Sequence, residues 1–380
     1  MDVYITRTAS FLPNQAIDNN NIEHILGMVN KTSSRVKKII LKRNGINHRY
    51  YAIDPLTREQ SHTNAELTAC AIRQLFTNES EMNDVELLTC GTTLSDEIVL
   101  GHAECVKQVL KIKALPVTIR GICVSGVSAM KYGYLSIKTG EANNAVCSGS
   151  EVSSAGLRSE RFTKAHEKFK SDETDIETMP EISFGKEFLR WMLSDGAGSV
   201  YLEPTLPDRP SQSVAKIEWM KIYSYANEQP ACMYAAAIKN EDGSLTGWLD
   251  DAYPLEGGLF IEQDVKQLNE NITHYAQKAF VRVREEMGVS SNDFDYFLPH
   301  LSSNYFFQKL KDDLEEIDYC IDDKKWYTNL SEKGNTGSAS IYIMLDELLK
   351  SGRCKKGERI LCFIPESSRF SYSFIYLTIQ

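Results

Sequence analysis

Thr118-Ile119-Arg120-Gly121-Ile122-Cys123-Val124-Ser125-Gly126-Val127-Ser128-Ala129-Met130 decides how this chain is read, because it puts a cysteine on a glycine-flanked turn between a strand and a helix. Leu115 to Arg120 alternates apolar and polar residues as a strand does. Gly121 permits a tight turn, and Val127, Met130, Tyr134 and Ile137 then recur at helical spacing. Cys123 is thereby expected at a helix N-terminus, where unpaired N–H groups and the positive end of the helix dipole favour the thiolate, the reactive form of the side chain. The plainer reading is a small buried core residue, the use to which most free cysteines are put.

A second stretch repeats the pattern. Asn335-Thr336-Gly337-Ser338-Ala339-Ser340 opens another helix, with Ile341, Leu345 and Leu348 at helical spacing and a stop at Ser351-Gly352; the first helix stops at Gly140. Each helix precedes an apolar strand, Ala145 to Ser148 in one case and Arg359 to Ile364 in the other. Upstream, Asn64 to Phe76 reads as a helix feeding the strand Val85 to Thr89, and Leu268 to Met287 as a helix feeding Tyr296 to Leu298. The same order of elements appears once in each half, which an internal duplication explains.

If the halves pair about a pseudo-twofold axis, the two small-residue helices become equivalent and their N-termini converge on one pocket. The first brings Cys123 and the second Asn335. Between them His300 follows the strand residues Phe297-Leu298-Pro299, at the end of a strand where α/β sheets usually keep their chemistry.

This ordered set of Cys123, Pro299-His300 and Gly334-Asn335-Thr336 resembles the Cys-His-Asn site of thiolase-fold ketoacyl synthases of type III. Arg43-Asn44-Gly45-Ile46-Asn47-His48-Arg49 is similar to that family's R-T-G-I-x-x-R segment, and Ser194-Asp195-Gly196-Ala197-Gly198-Ser199-Val200 to its G-D-G-A-G-A-V segment. The resemblance runs from the first strand, Val3 to Leu12, to the C-terminus. It implies an α/β thiolase-like fold in which two duplicated βαβ halves form a five-layered αβαβα core. The N-terminal half, 1–205, would carry the nucleophile and a cap or dimer insertion around 153–191; the C-terminal half, 206–380, would carry the histidine and asparagine. It further implies catalytic roles for Cys123, His300 and Asn335, and a place for Arg43 and Arg49 at the entrance for the phosphopantetheine arm of CoA or a carrier protein.

The chain departs from the chain-elongating members where they have a glycine-rich loop near the C-terminus. Here the stretch is Ile364-Pro365-Glu366-Ser367-Ser368-Arg369-Phe370-Ser371-Tyr372. With Thr92 to Glu97 and Cys123 to Gly126, it looks more like the ketosynthases that make dialkylresorcinols and flexirubin-type lipids. The resemblance then implies a Claisen-type condensation of an acyl group held on Cys123 with a second acyl or β-ketoacyl thioester. A β-ketoacyl donor needs its α-proton removed, for which His300 is a candidate and Glu97 a weaker one. The alternatives are a ketoacyl synthase III that starts fatty-acid synthesis from acyl-CoA and malonyl carrier protein, an acyltransferase to an amine or alcohol, and a silent partner subunit, against which the presence of Cys123 argues.

Composition fits such an enzyme. The 380 residues suffice for two fused halves, and a net charge of −10 argues against general nucleic-acid binding. Substrates are expected to arrive as acyl-CoA or acyl carrier protein thioesters, with no cofactor or metal, and a local basic patch at Lys37-Lys38, Lys42-Arg43 and Arg49, or at Lys355-Lys356, would face an acidic carrier. The chain moves from Met1 straight into a strand pattern, and no run reaches the eighteen or so apolar residues of a membrane span. The nine cysteines lack a C-x-x-C spacing, so reduced thiols and a cytoplasmic location are expected, and the family implies a homodimer.

Plainer readings stand beside these: His300 as a hydrogen-bonded core histidine, Asn335 as a helix cap, Asp195 as a turn former, and Glu97, Glu366 and Arg369 as structural. Phe162, Met179, Phe184, Phe188 and Met192 in the first insertion are candidates for lining an acyl tunnel or a dimer contact; a second excursion, Tyr223 to Phe260, carries Met233, Tyr234, Trp248 and Tyr253.

Overall fold

Leu115–Arg120 is a strand and Cys123–Thr139 the helix that follows it, with Val127, Met130 and Ile137 fully buried on one face and Gly140, at φ +82°, ending the helix. The computed structural model describes residues 1–34, 36–161, 187–208, 210–253 and 261–380. Its main sheet has nine strands: β1 (Tyr4–Phe11), β2 (Leu87–Thr92), β3 (Leu115–Arg120), β4 (Ala145–Glu151), β5 (Gly196–Glu203), β6 (Ala215–Ser224), β7 (Tyr296–Pro299), β8 (Arg359–Glu366) and β9 (Ser371–Ile379). Their order across the sheet is β7-β8-β9-β6-β1-β5-β4-β2-β3.

That order is a duplication folded about its middle. In one half β2 pairs in parallel with β3 and β4, and β5 and β1 run antiparallel beyond them; in the other β7 pairs in parallel with β8, and β9 and β6 run antiparallel. The position of β3 is taken in the second half by a single bridge from Phe297 to Trp326. The half-sheets join where Tyr4 faces Lys216 and Ile5 faces Ala215, and the chain passes from one to the other between Glu203 and Ala215.

Two helices lie between the half-sheets. The helix α3 (Cys123–Thr139) packs on β2 and β4 of its own half and on β8 and β9 of the other, while α6 (Ser340–Lys350) packs on β1 and β5 as well as β7. Helices α1 (Asn64–Arg73) and α2 (His102–Leu110) cover the outer face of the first half-sheet. Over the second lie α4 (Val265–Met287) and α5 (Tyr305–Glu315), with Phe280 of α4 against Phe297, Phe363 and Phe374. The layers are αβαβα, as the resemblance implies.

The run of small residues around 335–340 has a packing cause. A Cβ on Gly126 of α3 or on Gly149 of β4 would lie 2.2 Å from the carbonyl oxygen of Ser338, so that helix and that strand both meet the turn ahead of α6 backbone to backbone. Tyr342 reaches across and donates to the Gly126 carbonyl at 2.7 Å. Thr63 and Glu66 form a reciprocal cap on α1, which fixes where that helix begins.

One expectation changes. Asn335 does not open a helix directly, because a 3-10 turn, Gly337–Ala339, intervenes before α6. Residues near the N-terminus, among them Ile22, Leu26 and Ile40, share an apolar cluster with Phe280 and Phe297, so side chains from both halves pack together. Most of the 153–191 insertion, with Phe162, Met179 and Phe184, lies outside the described residues, whereas Phe188 and Met192 are buried. Among the described residues no helix is long and apolar enough to cross a membrane.

Candidate active site

Three strand ends of the first half meet: Thr93 just after β2, Cys123 after β3 and Glu151 closing β4. From the second half come Ser302, Asn335, Gly337 and Ser367. Together they line a cavity of about 480 Å³, whose apolar wall includes Leu157, Leu189, Met192, Met233, Trp248 and Ile261. Both insertions read from the sequence therefore reach it, through Leu157 and Leu189 and through Met233 and Trp248.

Cys123 is buried at the first position of α3. The Glu366 carboxylate, at the end of β8, sits over that helix start, its Oε2 accepting the N–H groups of Ile122 at 3.0 Å and Val124 at 3.1 Å. This overturns the expectation of a favoured thiolate. Burial, then the charges of Glu366 and Glu151, push the Cys123 thiol well above its ordinary range. The helix end does attract an anion, but that anion is Glu366, itself pushed up by burial.

Removing its charge has a readable sign. A negative neighbour disfavours the thiolate, so Glu366→Gln, which keeps an oxygen for the two N–H groups, lowers the thiol's pKa. Alkylation of Cys123 by iodoacetamide at pH 8 is expected to become roughly 10-fold faster, the factor that one pKa unit represents. An unchanged or slower rate, read by peptide mass spectrometry, would remove Glu366 as the cause.

His300 follows β7, its N–H donating to the Phe363 carbonyl at 2.8 Å. The reading of a hydrogen-bonded core histidine fails, because neither ring nitrogen has a partner among the described residues. Burial pushes its pKa down to about 4, which keeps the ring neutral near pH 7. The ring is 1% exposed; the cavity wall carries Ser302, two residues on, and not His300 itself. Asn335 Oδ1 accepts the Gly337 N–H at 3.0 Å, so the capping role belongs to that oxygen, and Nδ2 has no acceptor among the described residues.

Arg49 is a correction. It is fully buried, with Nε and Nη2 donating to the Trp191 carbonyl at 3.0 and 2.6 Å and Nη1 to Asn19 Oδ1 at 2.7 Å, so it braces the chain and does not stand at an entrance. Arg43 is exposed in the last turn of the helix Lys37–Asn44. Asp195 is buried and accepts from the N–H groups of Ala52 and Ser154 and the Ser154 hydroxyl, the structural role expected of it. Glu97 is exposed at the cavity's rim.

The residue not picked out from the sequence is Glu151. Oε1 accepts from the Thr93 N–H (3.1 Å), the Thr93 hydroxyl (2.7 Å) and the Ser338 N–H (3.4 Å), and burial pushes the pKa up to about 7. Its signal was an acid at the C-terminal end of a strand, beyond the apolar run that marked the strand itself.

Comparison with known proteins agrees with this geometry. Residues 285–363 match the family model described as 3-Oxoacyl-[acyl-carrier-protein (ACP)] synthase III C terminal. Over 362 residues the chain is 24% identical to the beta-ketoacyl-[acyl-carrier-protein] synthase III of Clostridium perfringens, covering 92% of this chain and 91% of that one. The corresponding synthase of Clostridioides difficile is 23% identical over 359 residues, covering 94% and 92%. Among solved structures, the tetronic acid condensing enzyme AbyA1 superposes with a TM-score of 0.74 at 19% identity, covering 99% of each chain. OleA of Xanthomonas campestris gives 0.73 at 19%, covering 100% and 98%, and the 3-oxoacyl-(acyl carrier protein) synthase III of Pseudomonas aeruginosa 0.71 at 17%, covering 100% and 98%. The matched C-terminal region, the relatives aligned over nearly the whole length and the doubled αβαβα core support a thiolase-fold, beta-ketoacyl synthase III-like condensing enzyme.

Proposed function

We propose that this chain joins two acyl units by a Claisen-type condensation, with Cys123 holding the first as a thioester. The observation that carries the reading is that Cys123 and Asn335, contributed by different halves, share the wall of one largely apolar cavity, whose size falls within the range of small-molecule sites. Covalent capture splits the carbon-carbon bond formation into two steps. The second thioester becomes a carbon nucleophile at its α-position, and the negative charge that develops on its carbonyl oxygen calls for donors. His300, neutral with unpartnered nitrogens, and Asn335 Nδ2 are suited to it. The N–H of Cys123, between the two that Glu366 accepts, serves the acyl-enzyme carbonyl.

The donor class is read as an acyl or β-ketoacyl thioester of the dialkylresorcinol or flexirubin type. Its support is the closing stretch Pro365 to Phe370, which sets a carboxylate over the nucleophile's helix where the resemblance implies a glycine-rich loop in chain-elongating members. Fatty-acid initiation with a malonyl donor is the second reading, favoured by the name the curated relatives share. The thioesters arrive on CoA or on an acyl carrier protein, with Arg43 and its exposed neighbours Lys38 and Lys42 as the basic face, and the protein works in the cytoplasm without a cofactor.

A homodimer completes the reading. Among the described residues strand β3 is an edge of the sheet, with Leu115 exposed, and Tyr132, Leu135 and Ile98 to Leu100 add exposed apolar side chains. Such an edge invites pairing with a second copy.

Intact-protein mass spectrometry after incubation with acyl-CoAs from acetyl to dodecanoyl tests the function. A mass gain matching the acyl group in wild type, absent in Cys123→Ala, is expected, largest for medium or long chains; best loading by acetyl would shift the assignment to fatty-acid initiation. No loading from CoA or carrier protein would sink both, and native spectra of the same sample should show two copies.

A further inference from the structure

Condensation with a donor that carries no α-carboxylate needs a base, because no CO₂ is lost and a C–H bond must be broken. On the condensing reading above, the group has to be a titratable side chain with a free acceptor atom in the cavity that holds Cys123. Five groups compete. Asp96, on the cavity wall, spends one oxygen on the Asn64 N–H at 2.8 Å and the other on the Ala65 N–H at 2.9 Å. Glu97 is exposed at the rim, where water screens it. His300, which burial holds at about 4, is a weak base, and Glu366 is off the cavity wall with its Oε2 committed to two N–H groups at the head of α3.

Glu151 remains. All three of its hydrogen bonds fall on Oε1, from Thr93 and Ser338, which fixes the carboxyl plane from both halves of the duplicated fold. Oε2 has no donor among the described residues, and the residue lines the same cavity as Cys123 and Asn335. Room for it is built in: Gly337 is at φ +53°, and a Cβ there would stand 2.9 Å from the Glu151 Cγ.

We propose that Glu151 is the general base of the condensation, its Oε2 taking the α-proton of the second thioester. The electron pair of that C–H bond forms the new bond to the acyl carbonyl carbon on Cys123. The carbon-sulfur bond breaks, the sulfur leaves as thiolate, and it receives the proton from Glu151, so that thiol and carboxylate are both restored. Burial holds Glu151 at about 7, close to the value that serves a base at neutral pH. The raised pKa of Cys123 favours the return of the proton to sulfur.

The test compares wild type, Glu151→Gln and Glu151→Asp, each given octanoyl-CoA to charge Cys123 and then either 3-oxooctanoyl-CoA or malonyl-CoA. Glu151→Gln keeps an oxygen for Thr93 and Ser338 and removes only the base. It is expected to load octanoyl at least as fast as wild type, because a negative neighbour of the thiol is gone, and to lose 3-oxooctanoyl condensation at least about 10²-fold relative to malonyl-CoA use wherever wild type uses malonyl, with partial recovery in Glu151→Asp. Condensation of the 3-oxoacyl donor at near wild-type rate, a parallel fall in loading and both condensations, or a wild type that accepts malonyl alone would each overturn the assignment. A wild type that never loads Cys123 removes the condensing reading itself, and the role of Glu151 with it.

Discussion

In a His300→Ala variant, condensation is expected to fall roughly 10²- to 10³-fold while acyl loading of Cys123 proceeds as before, because the imidazole is needed only when charge develops on the second thioester. Asn335→Asp should do the same: it keeps the oxygen that accepts the Gly337 N–H and exchanges the donor Nδ2 for an oxygen, so the turn stays and the donor goes. The double variant should lose less than the product of the two, since donors to one oxyanion act as a unit. Because burial sets His300 at about 4, it becomes charged only as the pH falls through that value, and the rate should show no His300 limb between pH 5 and 8. Steady-state rates beside single-turnover loading decide it. Equal loss of loading and condensation would mark His300 as a packing residue, and no loss would take it out of the site.

The second large effect is on stability. Gly126→Ala sets a methyl group 2.2 Å from the Ser338 carbonyl oxygen, and Gly149→Ala does so from the other side. The obstacle is backbone, which cannot rotate away, so the middle helix, or β4, and the turn ahead of α6 have to separate. A loss of more than about 3 kcal/mol is expected for either variant, seen as a lower midpoint in thermal or chemical unfolding or as insoluble expression. Gly247→Ala, where nothing stands within 4 Å, is the control and should stay within about 0.5 kcal/mol. Wild-type stability in Gly126→Ala would mean that the two halves are not in backbone contact there.

Much of this was written locally. The limits of β3 followed from alternation and one glycine, and the stop of α3 from Gly140, because both signals act within a few residues. The duplication was legible for the same reason, since each half repeats its own local pattern. What was missed depended on distant chain. The protonation of Cys123 could not be read from its helix start, because the opposing charge comes from Glu366, 242 residues beyond Val124. Arg49 resembled an exposed motif arginine until its guanidinium was found against Trp191, and strand pairing carried β4 on to Glu151, past the apolar residues that announced it.

The carboxylate over the nucleophile also bears on how the resting protein ages. Peroxide attacks thiolates, and attacks those it can reach. A cysteine kept as thiol, inside the fold, is spared on both counts, so oxidation of the idle protein should begin at the exposed Cys320 and leave the working sulfur for last. Durability between turnovers and reluctance to ionise would then be one property, set by where the chain ends β8.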